Sequence, residues 1–191
     1  MYFIDKTYTQ TYEIKQSKFI AYLTPYKEFE QTLIKLKQQH PKARHFVTAY
    51  RYLNEFNQIV ESSSDDGEPK GTSGKPSLMV LQGADMINCG VIIVRYFGGT
   101  KLGTGGLVRA YSEAVNMAIN DAKLLEYKDM IEKKISTDYT YIRQLEYECE
   151  NIGVDILDKE FSDSVIYKLK APKEEMEKLL EKIKRLISIY P

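Results

Sequence analysis

The side chains of this protein that could do chemistry are crowded into one stretch. Asp65, Asp66 and Glu68 supply carboxylates and Thr72 and Ser73 supply hydroxyls. Lys70, Lys75, Arg95, Lys101 and Arg109 supply cations, interleaved with the rings of Tyr96, Phe97 and Tyr111. Of the 11 glycines in the sequence, all but Gly153 fall between Gly67 and Gly106. Glycine belongs where the backbone needs a positive φ or where something must approach without meeting a Cβ. The stretch from Asp65 to Val115 therefore marks either one functional surface or one unusually constrained system of turns.

A strand-like run, a glycine-rich turn and a helical pattern follow one another from Val91 to Asn120, so phosphate binding is the first chemistry to test. A Walker motif would need lysine after the second of two glycines five residues apart; after Gly98 and Gly103 the chain has Thr104 instead. The dinucleotide fingerprint begins at Gly103 and Gly105 but meets Val108 at its third glycine position. What survives is an anion-binding corner. Backbone N–H groups at a helix start near Gly105 and Gly106 would act with Lys75, Arg95, Lys101 and Arg109. The plainer alternative is that these glycines only permit a tight strand-to-helix turn.

The three acids could hold Mg2+ through hard oxygen ligands, but acids around a glycine-proline turn equally describe a solvated loop. Ser73 in GTSGK, with His45 as a base, would be a hydrolase reading, yet Lys75 stands where the nucleophile elbow has its last glycine. His45 reads as a partly buried strand residue and His40, beside Pro41, as a helix-end residue. The remaining reading is a nucleic-acid surface, with cations for phosphates and aromatic faces for unpaired bases. Tyr96 and Phe97, adjacent on a strand, should face opposite sides, with one of them in the core.

Composition narrows the classes. Lys+Arg 27 balances Asp+Glu 27, so only a local basic patch could recruit a polyanion. Two histidines and two distant cysteines, Cys89 and Cys149, indicate neither a zinc site nor a disulfide framework, which fits a reduced cytoplasm. The N-terminal segment lacks the apolar core of a signal peptide, no stretch is long and apolar enough to span a membrane, and no membrane partner is expected.

The elements that must position these residues follow from periodicity. Alternation predicts strands over Tyr8–Ile14 and Ser17–Thr24, a helix over Glu28–Gln39, and strands over Arg44–Leu53 and Asn57–Ser63 paired through Asn54 and Glu55. The segment from Asp65 to Pro76 reads as a loop and Ser77–Met86 as a short helix. The β-branched run after Gly90 predicts a strand buried on both faces. From Leu107 an alanine-rich stripe, Ala110, Ala114 and Ala118, predicts a helix lying close against a sheet. A boundary is expected between 127 and 131. Beyond it come a strand, a helix ended by Gly153, two strands, and a helix from Lys173 to about Ile187, with ISIYP beginning a last strand. The fold class is thus α+β, with a domain over 1–127 and a ferredoxin-like domain over 131–191.

DDGEPKGTSGKP together with VIIVRYFGGTKLGTGGLVRAY resembles the signature of the IMPACT family, in its bacterial YigZ-like form. The resemblance covers the chain to about Tyr127, and the remainder is similar to the smaller C-terminal domain of bacterial members. It implies an N-terminal fold like the second domain of a small-subunit ribosomal protein and domain IV of elongation factor G. The C-terminal part resembles the last domain of that factor. Eukaryotic members are translation regulators carrying a further N-terminal interaction domain, which this chain is expected to lack. The resemblance therefore implies a non-catalytic binding or regulatory protein, with RNA or the ribosome as partner, or else a protein of the translation machinery. No cofactor and no metal are expected. The alternative is an enzyme acting on a small phosphorylated or nucleotide-like substrate through Asp65, Asp66 and Glu68. Within the matched blocks the signature positions are Asp65, Asp66, Gly67, Glu68, Gly71, Gly74, Gly98, Gly99 and Gly103, and none has a catalytic role in the family pattern. Ser73 stands where relatives commonly have alanine, which weakens the nucleophile reading.

Overall fold

The computed structural model describes residues 1–189 and is a mixed α/β structure of two compact units, one of residues Met1–Tyr127 and one from Lys128 onward. In the first unit, β2 (Tyr8–Ile14) and β3 (Ser17–Pro25) form a hairpin whose two turn residues, Lys15 and Gln16, both take left-handed φ, 46° and 61°. A two-residue turn of that hand matches the natural twist of the strands. Helix α1 (Phe29–Gln39) leads into a second hairpin, β4 (His45–Leu53) and β5 (Ile59–Ser64). Helix α2 (Gly74–Gly83), strand β6 (Cys89–Tyr96) and helix α3 (Thr104–Asp121) complete the unit. The sheet runs β2-β3-β6-β4-β5, antiparallel throughout, and a short pair of β1 (Tyr2–Phe3) and β7 (Leu125–Glu126) joins the unit's ends.

β6 is the central strand, and its apolar run is divided between two cores. Val91 and Ile93 join Leu81 of α2 and Leu107, Ala110, Ala114 and Ala118 of α3 on one face. Ile92 and Val94 meet Phe29 and Leu36 of α1 on the other. The small alanine side chains let α3 lie close to the sheet, as its stripe predicts. All four residues of VIIV are inaccessible to solvent. Truncating either isoleucine to alanine at such a position costs about 2–5 kcal/mol.

Helix α2 begins three residues earlier than its apolar spacing suggests, at Gly74, and ends at Gly83, before Met86. Pro76 lies within its first turn, where a missing N–H costs nothing because that donor has no intrahelical partner. Helix α3 likewise starts at Thr104, ahead of the first apolar residue of its stripe.

The second unit consists of β8 (Met130–Thr137), α4 (Ile142–Ile152), β9 (Asp155–Phe161), β10 (Val165–Pro172), α5 (Lys173–Ile183) and β11 (Ile187–Ile189). Its antiparallel order, β11-β8-β10-β9, is the ferredoxin-like arrangement. Leu145 and Cys149 of α4 and Met176, Leu179 and Ile183 of α5 cover Ile135, Val165, Tyr167 and Leu169 of the sheet. Gly153 ends α4 in the left-handed conformation, donating its N–H to the Cys149 carbonyl. Helix α5 stops at Ile183 rather than near Ile187, because the chain turns at Leu186 to enter β11. Of the ISIYP segment, Tyr190 and Pro191 lie outside the described residues.

Two glycines of the first unit should respond oppositely to a methyl group. A Cβ at Gly98 would stand 2.0 Å from the backbone carbon of Gln16, inside the hairpin turn. At Gly105, in the first turn of α3, it would meet nothing within 4 Å. Gly98→Ala should lower stability by about 2 kcal/mol or more, whereas Gly105→Ala should be neutral or stabilising by up to about 1 kcal/mol. Thermal unfolding of the two variants beside the wild type checks both signs.

Candidate anion-binding cavity

Arg95 stands one residue from the end of β6, and strand pairing places it between Phe19 of β3 and His45 of β4. Its side chain is turned toward α3 and is 8% exposed. The guanidinium Cζ lies 5.3 Å from the ring centroid of Phe19 and 5.7 Å from that of Phe97. Nη1 donates to Oε1 of Glu68 at 2.5 Å, and the hydroxyl of Tyr111, from α3, donates to the same oxygen at 2.8 Å. Tyr111 packs edge-on against Phe19, centroids 5.0 Å apart. Burial, reinforced by the Glu68 charge and hydrogen bond, pushes its phenol far above the ordinary value and keeps it a neutral donor. The two glycine-rich blocks thus meet at a buried ion pair.

Glu68 reaches Arg95 because the preceding loop is folded around Asp65. The Asp65 carboxylate accepts the N–H groups of Gly71 (2.7 Å), Ser73 (3.1 Å) and Gly74 (2.8 Å) and the Ser73 hydroxyl (2.6 Å). It caps α2 in place of the N-cap residue's own side chain, which makes no cap bond. Burial alone would raise its pKa, but the Ser73 hydroxyl and the backbone N–H bonds outweigh it and hold the carboxyl below its ordinary value. Asp66, at φ 44°, turns the other way: Oδ2 accepts the Phe46 N–H at 2.6 Å and its carbonyl accepts Nδ1 of His45 at 2.8 Å. A carbonyl can only accept, so Nδ1 of His45 carries the proton.

The three acids of this loop therefore go to three different partners and do not converge. The alternative of an acid cluster for metal binding or proton transfer loses its geometric basis. Ser73 is fully buried with its hydroxyl given to Asp65, and Thr72 donates to the Pro69 carbonyl at 2.7 Å, so neither is a nucleophile beside His45. Among the described residues no group of histidine, cysteine and acidic side chains has the geometry to hold a metal ion.

Beside the Arg95–Glu68 pair opens a cavity of about 730 Å³. It is lined by Lys42, Arg44, His45, Glu68 and Pro69 together with Arg95 to Phe97, Lys101 to Thr104 and Leu107. Four cations line it against the one carboxylate of Glu68, and Arg95 is already paired to that carboxylate. The surplus charge is carried by Lys42, Arg44 and Lys101, all exposed. Gly103 precedes α3 at φ 73° and offers no side-chain cap, so the first N–H groups of α3, those of Thr104, Gly105 and Gly106, lie at an uncapped helix start.

Of the cations expected to act together, Arg95 and Lys101 line the cavity; Lys75 and Arg109 do not. Lys75 is exposed on the first turn of α2, and Arg109 folds back on α3, its Nε donating to the Gly105 carbonyl at 3.3 Å. Of the four cations expected to act together, the cavity lining therefore holds two. The signature glycines shape the loops. Gly67, Gly71, Gly99 and Gly103 take left-handed φ, and Gly74 and Gly98 press on the backbones of Ser64 and Gln16. Tyr96 and Phe97 differ as expected: Tyr96 is half-buried and packs against the core formed by Ile92, Val94 and α1, whereas Phe97 is 53% exposed. Tyr96 also hydrogen-bonds Nδ1 of His40 at 2.8 Å, while Nε2 of the same ring meets the Tyr22 hydroxyl at 3.0 Å. His40 is thus a bridge as well as a helix-end residue. Lys42 and Arg44 were missed in the sequence; their signal was the short cationic run PKAR directly before a strand that pairs with Arg95.

The family profile described as the Impact N-terminal domain matches residues 15–119, and a second, a domain of unknown function (DUF1949), matches residues 135–188. The chain is 40% identical over 159 residues to an IMPACT family member of Haemophilus influenzae, covering 80% of this chain and 76% of that one. It belongs to the IMPACT family. Similar family members are YvyE of Bacillus subtilis, 36% identical over 155 residues (80% of this chain, 70% of that one), and YigZ of Escherichia coli, 32% identical over 163 residues (84% and 80%). A crystal structure of a hypothetical protein superposes with a TM-score of 0.63 at 28% identity, over 98% of this chain and 95% of that one. The IMPACT domain so defined contains every residue of the cavity.

Two outcomes follow for the loop. Glu68→Ala leaves the Arg95 charge buried without its counter-ion and should destabilise the protein by about 3 kcal/mol, with Tyr111→Phe costing less; denaturant unfolding measures both. Because the Asp65 pKa is lowered on folding, its stabilisation is complete above the unfolded-state value of about 3.9 and is lost as pH falls through the lower folded-state value. The stability difference between wild type and Asp65→Asn should therefore be constant near neutrality and shrink in acid.

Proposed function

We propose that this chain is a non-catalytic binding protein of the cytoplasm that acts near translation by holding RNA through its phosphates. The observation that carries this reading is the charge of the cavity: Lys42, Arg44 and Lys101 surround a space whose one lining carboxylate is already engaged by Arg95. A buried, internally paired Arg95–Glu68 unit adds no net charge, so the rim cations face an incoming anion undiminished. The uncapped start of α3 adds backbone donors of the kind that phosphate oxygens accept. Support for translation comes from membership of a family whose eukaryotic members regulate it. The carboxylates of Asp65, Asp66 and Glu68 are all committed to internal partners, which is why a binding role is preferred over an enzymatic one.

RNA binding through these groups should be strongly salt-dependent, since each neutralised phosphate releases counter-ions. With about three phosphate contacts to an unpaired strand, the logarithm of affinity should fall against the logarithm of salt with a slope of about −2. Lys101→Ala should weaken binding and make that slope shallower by about one; Lys75→Ala and Arg109→Ala, outside the cavity, should change it less. Filter binding or anisotropy across a salt series is the measurement. Salt-insensitive binding, or no capture of RNA or ribosomal particles at low salt, would overturn the reading.

A further inference from the structure

The cavity distinguishes between forms of RNA. It is concave, and at about 730 Å³ it is of the size that encloses a small molecule rather than the surface of a helix. A-form duplex is recognised by broad contacts across its shallow minor groove and presents no single nucleotide to a recess. At the rim stands Phe97, 53% exposed, with the Arg95 guanidinium 5.7 Å from its ring centroid. Phe97 is thus a largely exposed ring beside a buried cation, and an exposed aromatic ring is the kind of group on which an unpaired base stacks. Lys101 and Thr104, the latter in the first turn of α3, line the same cavity as Phe97.

Resting on the RNA reading above, we infer that the cavity takes one unpaired nucleotide of an RNA strand, its phosphate held by Lys101, Arg44 and the start of α3 and its base stacked on Phe97. Phosphate contacts give affinity without regard to strandedness, whereas stacking on Phe97 requires a base free of its pair. The preference for single strands therefore resides in Phe97, and the salt dependence in the cations.

The test measures anisotropy of a labelled single-stranded RNA of about ten nucleotides and of the same sequence annealed to its complement, at low salt, with wild type, Phe97→Ala, Phe97→Tyr and Lys101→Ala. The single strand should bind at least about fivefold tighter than the duplex. Phe97→Ala should abolish that preference, Phe97→Tyr should keep it, and Lys101→Ala should weaken both forms. Phe97 is more than half exposed, so its variants should keep the fold, which thermal unfolding checks. Equal affinity for the two forms, or a single-strand affinity unmoved by Phe97→Ala, overturns this inference and leaves the RNA reading standing. Absence of salt-sensitive binding to either form defeats both.

Discussion

The first unit depends on one oxygen, Oε1 of Glu68, which accepts from both Arg95 and Tyr111. Three separate parts of the chain meet there: the acidic loop, the central strand and the long helix. A carboxylate with 3% side-chain exposure and a guanidinium with 8% would each be costly to bury alone. Together, with a neutral phenol completing the shell, they fix how the loop lies across the sheet. This contact joins Glu68 and Arg95, both of which line the cavity. The charge that a ligand meets is then set by what is left over, the exposed lysines and arginine of the rim.

The same principle, internal partners consuming polar groups, recurs in the loop itself. Asp65 gathers four donors and Asp66 ties the loop to β4 through both its side chain and its carbonyl. A second buried arginine, Arg51, does comparable work at the other end of α2: Nε pairs with Glu61 at 2.6 Å, and Nη1 donates to the Leu81 carbonyl of the helix at 3.4 Å and to the Met86 carbonyl just beyond it at 2.8 Å. Helix α2 is therefore held at its start by an acid and at its exit by a base, each complementing the end of the helix it meets.

Much of the architecture was legible from periodicity. The strand Tyr8–Ile14, the buried run Val91–Val94 and the glycine that ends α4 follow from alternation, from β-branched continuity and from a left-handed cap. The start of α2 was not legible, because its first turn is GKPS, a composition that reads as loop; only the distant Asp65 supplies the cap that lets it be helical. The candidate site was half legible. Arg95 and Lys101 could be picked out as cations in a glycine-rich block, but Lys42 and Arg44 come to them through strand pairing, a long-range fact that no local pattern carries. Lys75 and Arg109 stand near them in sequence without lining the cavity. The acids looked like a ligand set because their spacing is short; side-chain direction, set by the positive φ of Asp66 and the turn that follows, sends them apart.

The two glycine-rich helix starts of this unit are one device in two states. At α2 the amide cluster already holds an anion, and that anion is covalently part of the chain: Asp65 fills by its carboxylate the place a phosphate would take. At α3 the equivalent position follows Gly103, which has no side chain with which to answer its own amides. One nest is thus self-liganded and closed to competition at any ligand concentration. Its neighbour has no such answer from its own cap residue, so the two similar helix starts differ in whether the chain itself meets their amides.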